Sequence, residues 1–320
     1  MTTSVSVVIP AYNAAGFIVD ALDSIARQSR LPDEVLVIND GSQDQTHQVI
    51  VDWIARKRPA YPVRLHDQSN RGLPATRNVG IRQASSSWIA LLDADDVWEP
   101  DHLERLLDAT ALAPAAPAVY GAGRLLVNGV VGPRLYDDFW DNPSRKFGRP
   151  IAGSSCLELD RSIFPRLVRG NFIKPSSLML SRAATVEIGL FDEDLRTCED
   201  REFLVRLIFK GNFVYTPVPI TQYRWHDDNI SSDKNARRNL ENSLRALDKI
   251  MRNATLGLTE AQLQACHQER RVTTKGYLYV SSLGGWRVYR GSLSLVRQLF
   301  GLGPMLRAVN PKHLAHCVIG

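Results

Sequence analysis

Ser87-Trp88-Ile89-Ala90-Leu91-Leu92-Asp93-Ala94-Asp95-Asp96 carries an apolar, proline-free run straight into three carboxylates within four residues. Such a run has the composition of a buried strand, and it delivers the acids to its carboxyl end. Like charges at this spacing repel unless a cation or hydrogen-bond donors hold them. Carboxylate oxygens are also the hard ligands that Mg2+ or Mn2+ takes, commonly shared with a substrate's phosphates. The same acids suit a helix N-cap, with Pro100 placed for a helix start shortly after. The stretch alone leaves both readings open.

Upstream, the chain repeats one design. Ser4-Val5-Ser6-Val7-Val8-Ile9 is a β-branched run ending at Pro10, and Ala11-Tyr12-Asn13-Ala14-Ala15-Gly16 turns into a helical pattern through Ile25. Asp33 to Asn39 is a second strand, Asp40-Gly41-Ser42-Gln43-Asp44 a second loop, and Val49, Ile50 and Ile54 mark a second helix. Val63-Arg64-Leu65-His66 is a weaker third strand, followed by Asn70-Arg71-Gly72-Leu73-Pro74 and a helix from Ala75 to about Ala84. Alternating strands and helices with short links predict a parallel, doubly wound α/β sheet that binds ligands at the carboxyl ends of its strands. Asp40, with Gly41 beside it for close backbone approach, can accept hydrogen bonds from a base or ribose. Tyr12 can cover a planar ring, and Arg77 can face a phosphate bidentately. Each residue singly has an ordinary structural role as well: turn, core or solvated helix surface. The absence of GxGxxG after the first strand and of GxxxxGK[ST] anywhere argues against a dinucleotide dehydrogenase and a P-loop NTPase.

Bulk composition sets wider bounds. With 320 residues, 44% apolar and 23% charged, the chain can bury one sizeable domain, or one plus an appendage. Cys156, Cys198, Cys266 and Cys317 are far apart with no CxxC pair, which suggests neither a zinc knuckle nor a disulfide framework and fits a reducing cytoplasm. The N-terminus lacks a signal-peptide pattern and no run reaches ~18 apolar residues, so neither secretion nor membrane spanning is expected. The net charge of +5 is unevenly placed: residues 231–320 hold 14 Lys and Arg against 5 Asp and Glu, which leaves −4 for the rest. From Arg270 to Gly320 eight basic residues and no acidic one are interleaved with Trp286, Tyr289, Leu293, Leu295, Leu299, Phe300 and Leu306. That pattern fits peripheral contact with anionic lipid or a lipid-linked acceptor, and equally a helical appendage with solvated basic side chains. No nucleic-acid-binding motif accompanies the charge.

In the middle of the chain, Ala118-Val119-Tyr120-Gly121 and Arg124-Leu125-Leu126-Val127 extend the sheet. Gly132 to Phe172 has little periodicity and is expected to be a mobile acceptor-side lid or a plain insertion. Lys174-Pro175-Ser176-Ser177-Leu178-Met179-Leu180 is expected to be a strand. Thr197-Cys198-Glu199-Asp200 opens a helix that buries Phe203, Leu204, Leu207 and Ile208.

The ordered blocks Val7-Val8-Ile9-Pro10-Ala11-Tyr12-Asn13, Val37 to Thr46, Asn70 to Gly80, and Leu91-Leu92-Asp93-Ala94-Asp95-Asp96 closely resemble the family 2 glycosyltransferases. The segment Tyr223-Arg224-Trp225-His226-Asp227-Asp228-Asn229-Ile230-Ser231 resembles that family's YRxHxxNxS block. The resemblance implies the GT-A nucleotide-diphospho-sugar transferase fold, Rossmann-like with a mostly parallel sheet flanked by helices, and a C-terminal helical appendage. It implies a domain over 1–231, with a nucleotide-sugar half at 1–120 and an acceptor half at 121–231, followed by a basic helical region at 232–320. It further implies inverting transfer from a UDP- or dTDP-linked sugar to a carbohydrate or lipid-linked acceptor, with Mg2+ or Mn2+ on the diphosphate. Pro10, Ala11, Tyr12, Asn13, Asp40, Asn70, Gly72, Arg77, Asp93 and Ala94 would then hold the nucleotide-sugar. Asp95, with Asp93 and His226, would hold the metal. Asp200 would be the base, with Glu199 on an acceptor hydroxyl. A cytoplasmic enzyme, in peripheral contact with the inner face of the cell membrane, is the expectation. Its competitors are a sugar-phosphate nucleotidyltransferase and a non-catalytic nucleotide-sugar-binding module; the missing Gly-rich, basic N-terminal loop counts against the first, and the retained Asp93, Asp95, Glu199 and Asp200 against the second.

Overall fold

The computed structural model of the protein describes residues 3–227, 229 and 232–319. The strands are β1 (Val5–Ala11), β2 (Glu34–Asp40), β3 (Val63–Gln68), β4 (Trp88–Leu91), β5 (Val97–Trp98), β6 (Ala118–Val127), β7 (Val130–Leu135), β8 (Arg149–Pro150), β9 (Leu157–Leu159), β10 (Leu178–Ser181) and β11 (Phe213–Trp225). Helices α1 (Ile18–Ala26), α2 (Thr46–Lys57), α3 (Leu73–Gln83) and α4 (His102–Leu112) alternate with the early strands. Short helices α5 (Pro143–Phe147), α6 (Phe164–Arg169) and α7 (Arg182–Glu187) precede α8 (Glu199–Leu207). The chain closes with α9 (Ala236–Arg252), α10 (Glu260–Ser282), α11 (Gly285–Phe300), α12 (Leu302–Ala308) and α13 (Pro311–Ile319).

The main sheet runs in the order β3-β2-β1-β4-β10-β6-β11-β9-β8. Strands β3, β2, β1 and β4 are mutually parallel. Every residue of β1 and β2 is buried, as a strand covered on both faces requires. Alternation decides what each side chain meets: Val5, Val7 and Ile9 join Ile18, Leu22, Ile50, Trp53, Leu103 and Leu106 in one core. Val8 points the other way, toward α3, where a Cβ on Gly80 would collide with it. The edge strand β3 is only half-buried, which is why its sequence pattern is weak.

The sheet is mixed rather than mostly parallel, because β10 enters antiparallel to both β4 and β6. Residues 132–172 form no lid-like loop: they supply β7 along β6, the β8–β9 pair and short helices. Their aperiodic sequence reflects very short elements. Pro175–Ser177 is a single 3-10 turn before β10, where a strand was expected, because Pro175 starts the turn and the Ser177 hydroxyl donates back to the Lys174 carbonyl at 2.9 Å. Strand β11 carries Pro217 and Pro219, and its pairing with β6 shifts register around Pro219.

Two compact units emerge. One comprises Met1–Ile163, Asn171–Glu193 and Arg206–His226; the other comprises Phe164–Gly170, Asp194–Val205 and Asp227–Gly320. The second has its own apolar core of Leu244, Tyr277, Leu278, Tyr289, Val296, Ala308 and Cys317. Among the described residues, no helix is long and apolar enough to cross a membrane.

His102 in α4 is fully buried, stacked on Trp98 at 3.9 Å between ring centroids, with Nδ1 2.9 Å from the Ile220 carbonyl. Burial pushes its pKa from 6.5 down to about 3. The unfolded chain therefore binds one more proton than the folded one between those values, and stability falls as pH drops from 6.5 toward 3. In urea denaturation across that range, His102→Phe, which keeps the ring stack, is expected to remove up to about 1.4 kcal/mol per pH unit from the wild-type slope.

Candidate functional site

The loops that leave the carboxyl ends of β1, β2, β3 and β4 share one edge of the parallel half and are bonded to one another. After β1, the Asn13 backbone adopts φ 49°, its amide donates to Ser42 Oγ at 2.9 Å, and its side-chain oxygen accepts from the Gln43 amide at 2.8 Å. The Ala14 amide donates to Thr46 Oγ1 at 2.7 Å, at the start of α2. Tyr12 is left half exposed at 49%, with its ring available to cover a ligand.

Asp40 ends β2 and is nearly buried. Its Oδ1 accepts from Gln68 Nε2 at 2.7 Å and the Arg71 amide at 2.8 Å, and its Oδ2 accepts from the Gly72 amide at 2.8 Å. A carboxylate has about four acceptor positions, so Asp40 chiefly shapes the Asn70–Gly72 loop and keeps capacity for about one further donor. Gly41 allows this approach: at φ +70°, its absent Cβ would sit 2.8 Å from the Asn70 nitrogen.

The acids after β4 are held in three different ways. Arg77 on α3, 1% exposed, donates from Nη2 to Asp93 Oδ1 at 2.7 Å. It thus positions Asp93 in addition to any role toward a phosphate. Asp95 Oδ2 lies 3.1 Å from His226 Nε2, and the His226 ring stacks on Phe17 at 4.7 Å. Asp96 is fully buried, accepting from Ser176 Oγ at 2.5 Å and the Arg224 amide at 2.9 Å. It ties the turn before β5 to β11 and to the Ser176 turn, and caps no helix; Asp101 occupies the position before α4. Ser176 Oγ also accepts from the Asp93 amide at 3.0 Å, and Arg224 reaches the Asp95 carbonyl through Nε at 2.7 Å and Asp20 through Nη2 at 2.7 Å.

Charge is not balanced here. Burial first, then the Asp93 carboxylate, pushes Asp95 above the usual carboxylate range. Asp96 goes well above it through burial, then Asp95 and Asp93. A divalent cation fits that excess, and carboxylate oxygen with neutral imidazole is an acceptable donor set for Mg2+ or Mn2+. Among the described residues, no group of three or more His, Cys, Asp and Glu is arranged to hold a metal by itself. Mg2+ commonly needs only one or two carboxylates, with substrate phosphates completing its shell.

The structure therefore brings together Asp93, Asp95, His226 and Arg77, and separately Asp40 with Asn70 and Gly72. Pro10 and Ala11 finish β1, and Ala94 is buried between the acids. Glu199 and Asp200 open α8 in the other compact unit. There Cys198 has φ 62°, Glu199 is buried, and Asp200 Oδ1 accepts from the Arg201 amide at 2.7 Å. Asp228, Ile230 and Ser231 of the His226 block lie outside the described residues. Ser176 and Phe17 were not evident from sequence, since neither belongs to an acidic or glycine-rich motif.

Residues 6–145 match the family model described as Glycosyl transferase family 2. A glycosyltransferase of Rickettsia typhi (strain ATCC VR-144 / Wilmington) is 23% identical over 223 residues, covering 70% of this chain and 64% of that protein. The Bacillus subtilis (strain 168) glycosyltransferase TuaG, named for teichuronic acid biosynthesis, is 26% identical over 231 residues, 72% of this chain and 82% of TuaG. The matches span less than two thirds of the Rickettsia typhi and Rickettsia prowazekii relatives, at 64% and 60% of their lengths. Among solved structures, S. aureus TarS 1-349 in complex with UDP-GlcNAc superposes with TM-score 0.65 at 20% identity, over 98% of this chain and 84% of that one. The mannosyltransferase PcManGT from Pyrobaculum calidifontis, in complex with GDP-Man and Mn2+, gives 0.61 at 17% identity, over 100% and 84%.

Removing the Arg77 guanidinium leaves Asp93 beside Asp95 and Asp96 without its counter-charge. Arg77→Leu is expected to lower the unfolding free energy by about 3 kcal/mol, the low end for a broken buried pair because Asp93 retains some solvent contact. Urea denaturation measures it, and an unchanged midpoint would show that the pair contributes little.

Proposed function

We propose, from the match of residues 6–145 to the family model described as Glycosyl transferase family 2, that this protein is an inverting, metal-dependent glycosyltransferase. It takes a sugar from a UDP- or dTDP-linked donor to a carbohydrate or lipid-linked acceptor, in polysaccharide or glycoconjugate synthesis. The observation that carries the reading is the meeting of Asp95 with His226 at 3.1 Å, beside an Asp93 held by Arg77, on the ligand-binding edge of the parallel strands. UDP-GlcNAc in one structural relative and GDP-Man with Mn2+ in another support a nucleotide-sugar donor and a divalent metal.

In this reading Tyr12 covers the base, while Pro10, Ala11, Asn13, Asp40, Asn70, Gly72 and Ala94 line the nucleotide. Asp93 reaches the ribose or the metal, and Asp95 and His226 hold Mg2+ or Mn2+. The bound metal supplies positive charge that offsets the charge developing on the leaving diphosphate. His226, as an imidazole, can alternatively donate a proton to that leaving group. Asp200 is the base by resemblance to the family's Glu-Asp pair, and it stands in the first turn of α8. It accepts the proton of the acceptor hydroxyl as that oxygen bonds to the anomeric carbon, and the bond from that carbon to the diphosphate breaks on the opposite face. Glu199 orients an acceptor hydroxyl. The donor half at 1–120, the acceptor half at 121–231 and the basic region at 232–320 belong to the same reading, as does a cytoplasmic protein in peripheral contact with the inner face of the membrane.

A thermal-shift panel of nucleotide-sugars with and without Mn2+ tests the donor and metal together. The cognate donor with Mn2+ should raise stability by about 2.7 kcal/mol at one hundred times its Kd, and Asp95→Asn should abolish the Mn2+-dependent part. If no nucleotide-sugar stabilises the protein, the reading fails. Asp200→Asn is expected to keep donor stabilisation and lose transfer at least a hundredfold; wild-type turnover from that variant would overturn its assignment as base.

A further inference from the structure

The joint between α10 and α11 exposes what a packed helical pair ordinarily hides. Tyr279 is 48% exposed, Leu283 56% and Trp286 53%, while neighbouring Tyr277, Leu278 and Tyr289 are buried in the unit's core. Val272 and Tyr279 are seven residues apart on α10, and Leu283, four further on, caps that helix in helical conformation, so the three form one stripe that leads into Trp286 at the start of α11. Val272 is 61% exposed at the other end of that stripe.

Basic side chains flank the apolar ones. Arg271 and Lys275 lie on the same face of α10, and Arg287 and Arg290 follow Trp286, all exposed. Among the described residues none of these four pairs with a carboxylate, and no acidic residue occurs from Arg270 onward. The positive charge is felt locally: burial, then Arg271 and Arg307, holds Arg270 below the usual guanidinium range. A protein partner would need a matching acidic and apolar surface. An anionic bilayer offers both at once, headgroup phosphates for the Lys and Arg and an acyl boundary for Trp, Tyr and Leu.

We propose that the α10–α11 tip, formed by Tyr279, Leu283 and Trp286 with Lys275, Arg287 and Arg290, docks the protein on an anionic membrane surface. The inference deepens the peripheral contact proposed above and rests on that contact alone; vesicle binding requires neither donor nor acceptor, so its outcome is separate from that of the transfer reaction.

Flotation of the full chain with phosphatidylcholine vesicles, with and without phosphatidylglycerol, tests it. The wild-type protein is expected to float with the phosphatidylglycerol vesicles only and to be released by high salt. The triple variant Lys275→Gln, Arg287→Gln, Arg290→Gln should weaken binding about a hundredfold, at about fivefold for each basic residue. Leu283→Ser with Trp286→Ser should weaken it roughly tenfold or more. Both variants should keep the wild-type melting midpoint, since none of these side chains is in the buried core. Binding that ignores phosphatidylglycerol, or that either variant leaves intact, overturns the proposal. So does absence of vesicle binding together with self-association in sedimentation that Leu283→Ser with Trp286→Ser abolishes, which would make the tip a contact between copies.

Discussion

Asp93, Asp95 and Asp96 stand within four residues at the buried end of β4, and the surrounding structure is arranged to keep three carboxylates there. Each has a different partner. Arg77 from α3 neutralises Asp93, His226 after β11 meets Asp95, and Asp96 is satisfied by the Ser176 hydroxyl and the Arg224 amide. Those partners come from a helix, a strand end and a 3-10 turn spread over 150 residues of chain. The antiparallel entry of β10 and the long reach of β11 along β6 make this convergence possible. Burial, and after it the neighbouring carboxylates, raises the pKa values of Asp95 and Asp96, which is the electrostatic ground for the proposed cation.

A second set of constraints works through the backbone. Asp40 spends most of its acceptor capacity on its own neighbourhood, bridging β2 to the Asn70–Gly72 loop. Asn13, Ser42, Asp44 and Thr46 join the first two loops in the same way. The edge at the carboxyl ends of β1, β2 and β3 is therefore a bonded surface and not a set of independent loops, and Gly41 supplies the positive φ angle that lets the β2 exit approach the Asn70 backbone closely. Residues expected singly as ligand contacts double as the scaffold of that edge.

Much of the first half was legible because local pattern and final environment agree there. Strands buried on both faces must be continuously apolar, so β1, β2 and β4 were plain, and α1, α2 and α3 fell within a few residues of their expected bounds. Elsewhere pattern and environment disagree. Pro217 and Pro219 speak against a central strand, yet β11 accommodates them at a register shift. The short elements between residues 132 and 172 are too brief to show a period, so the sequence pattern there suggests only a lid or an insertion. α10 runs from Glu260 to Ser282 and packs on α9 and α11.

The sequence by itself determined the parallel α/β half, the family resemblance and the acidic cluster, because strand periodicity and clustered charge are local properties. Tertiary structure decided the rest: which partner each acid has, that Ser176 and Phe17 belong to the site, and that the sheet becomes mixed at β10. It also decided that Glu199 and Asp200 belong to a different compact unit from Asp95, and that Tyr279, Leu283 and Trp286 stay exposed while Tyr277 and Tyr289 do not. These are relations between residues tens to more than a hundred positions apart, and only the packing of helices and the pairing of strands brings such residues together or keeps them in solvent.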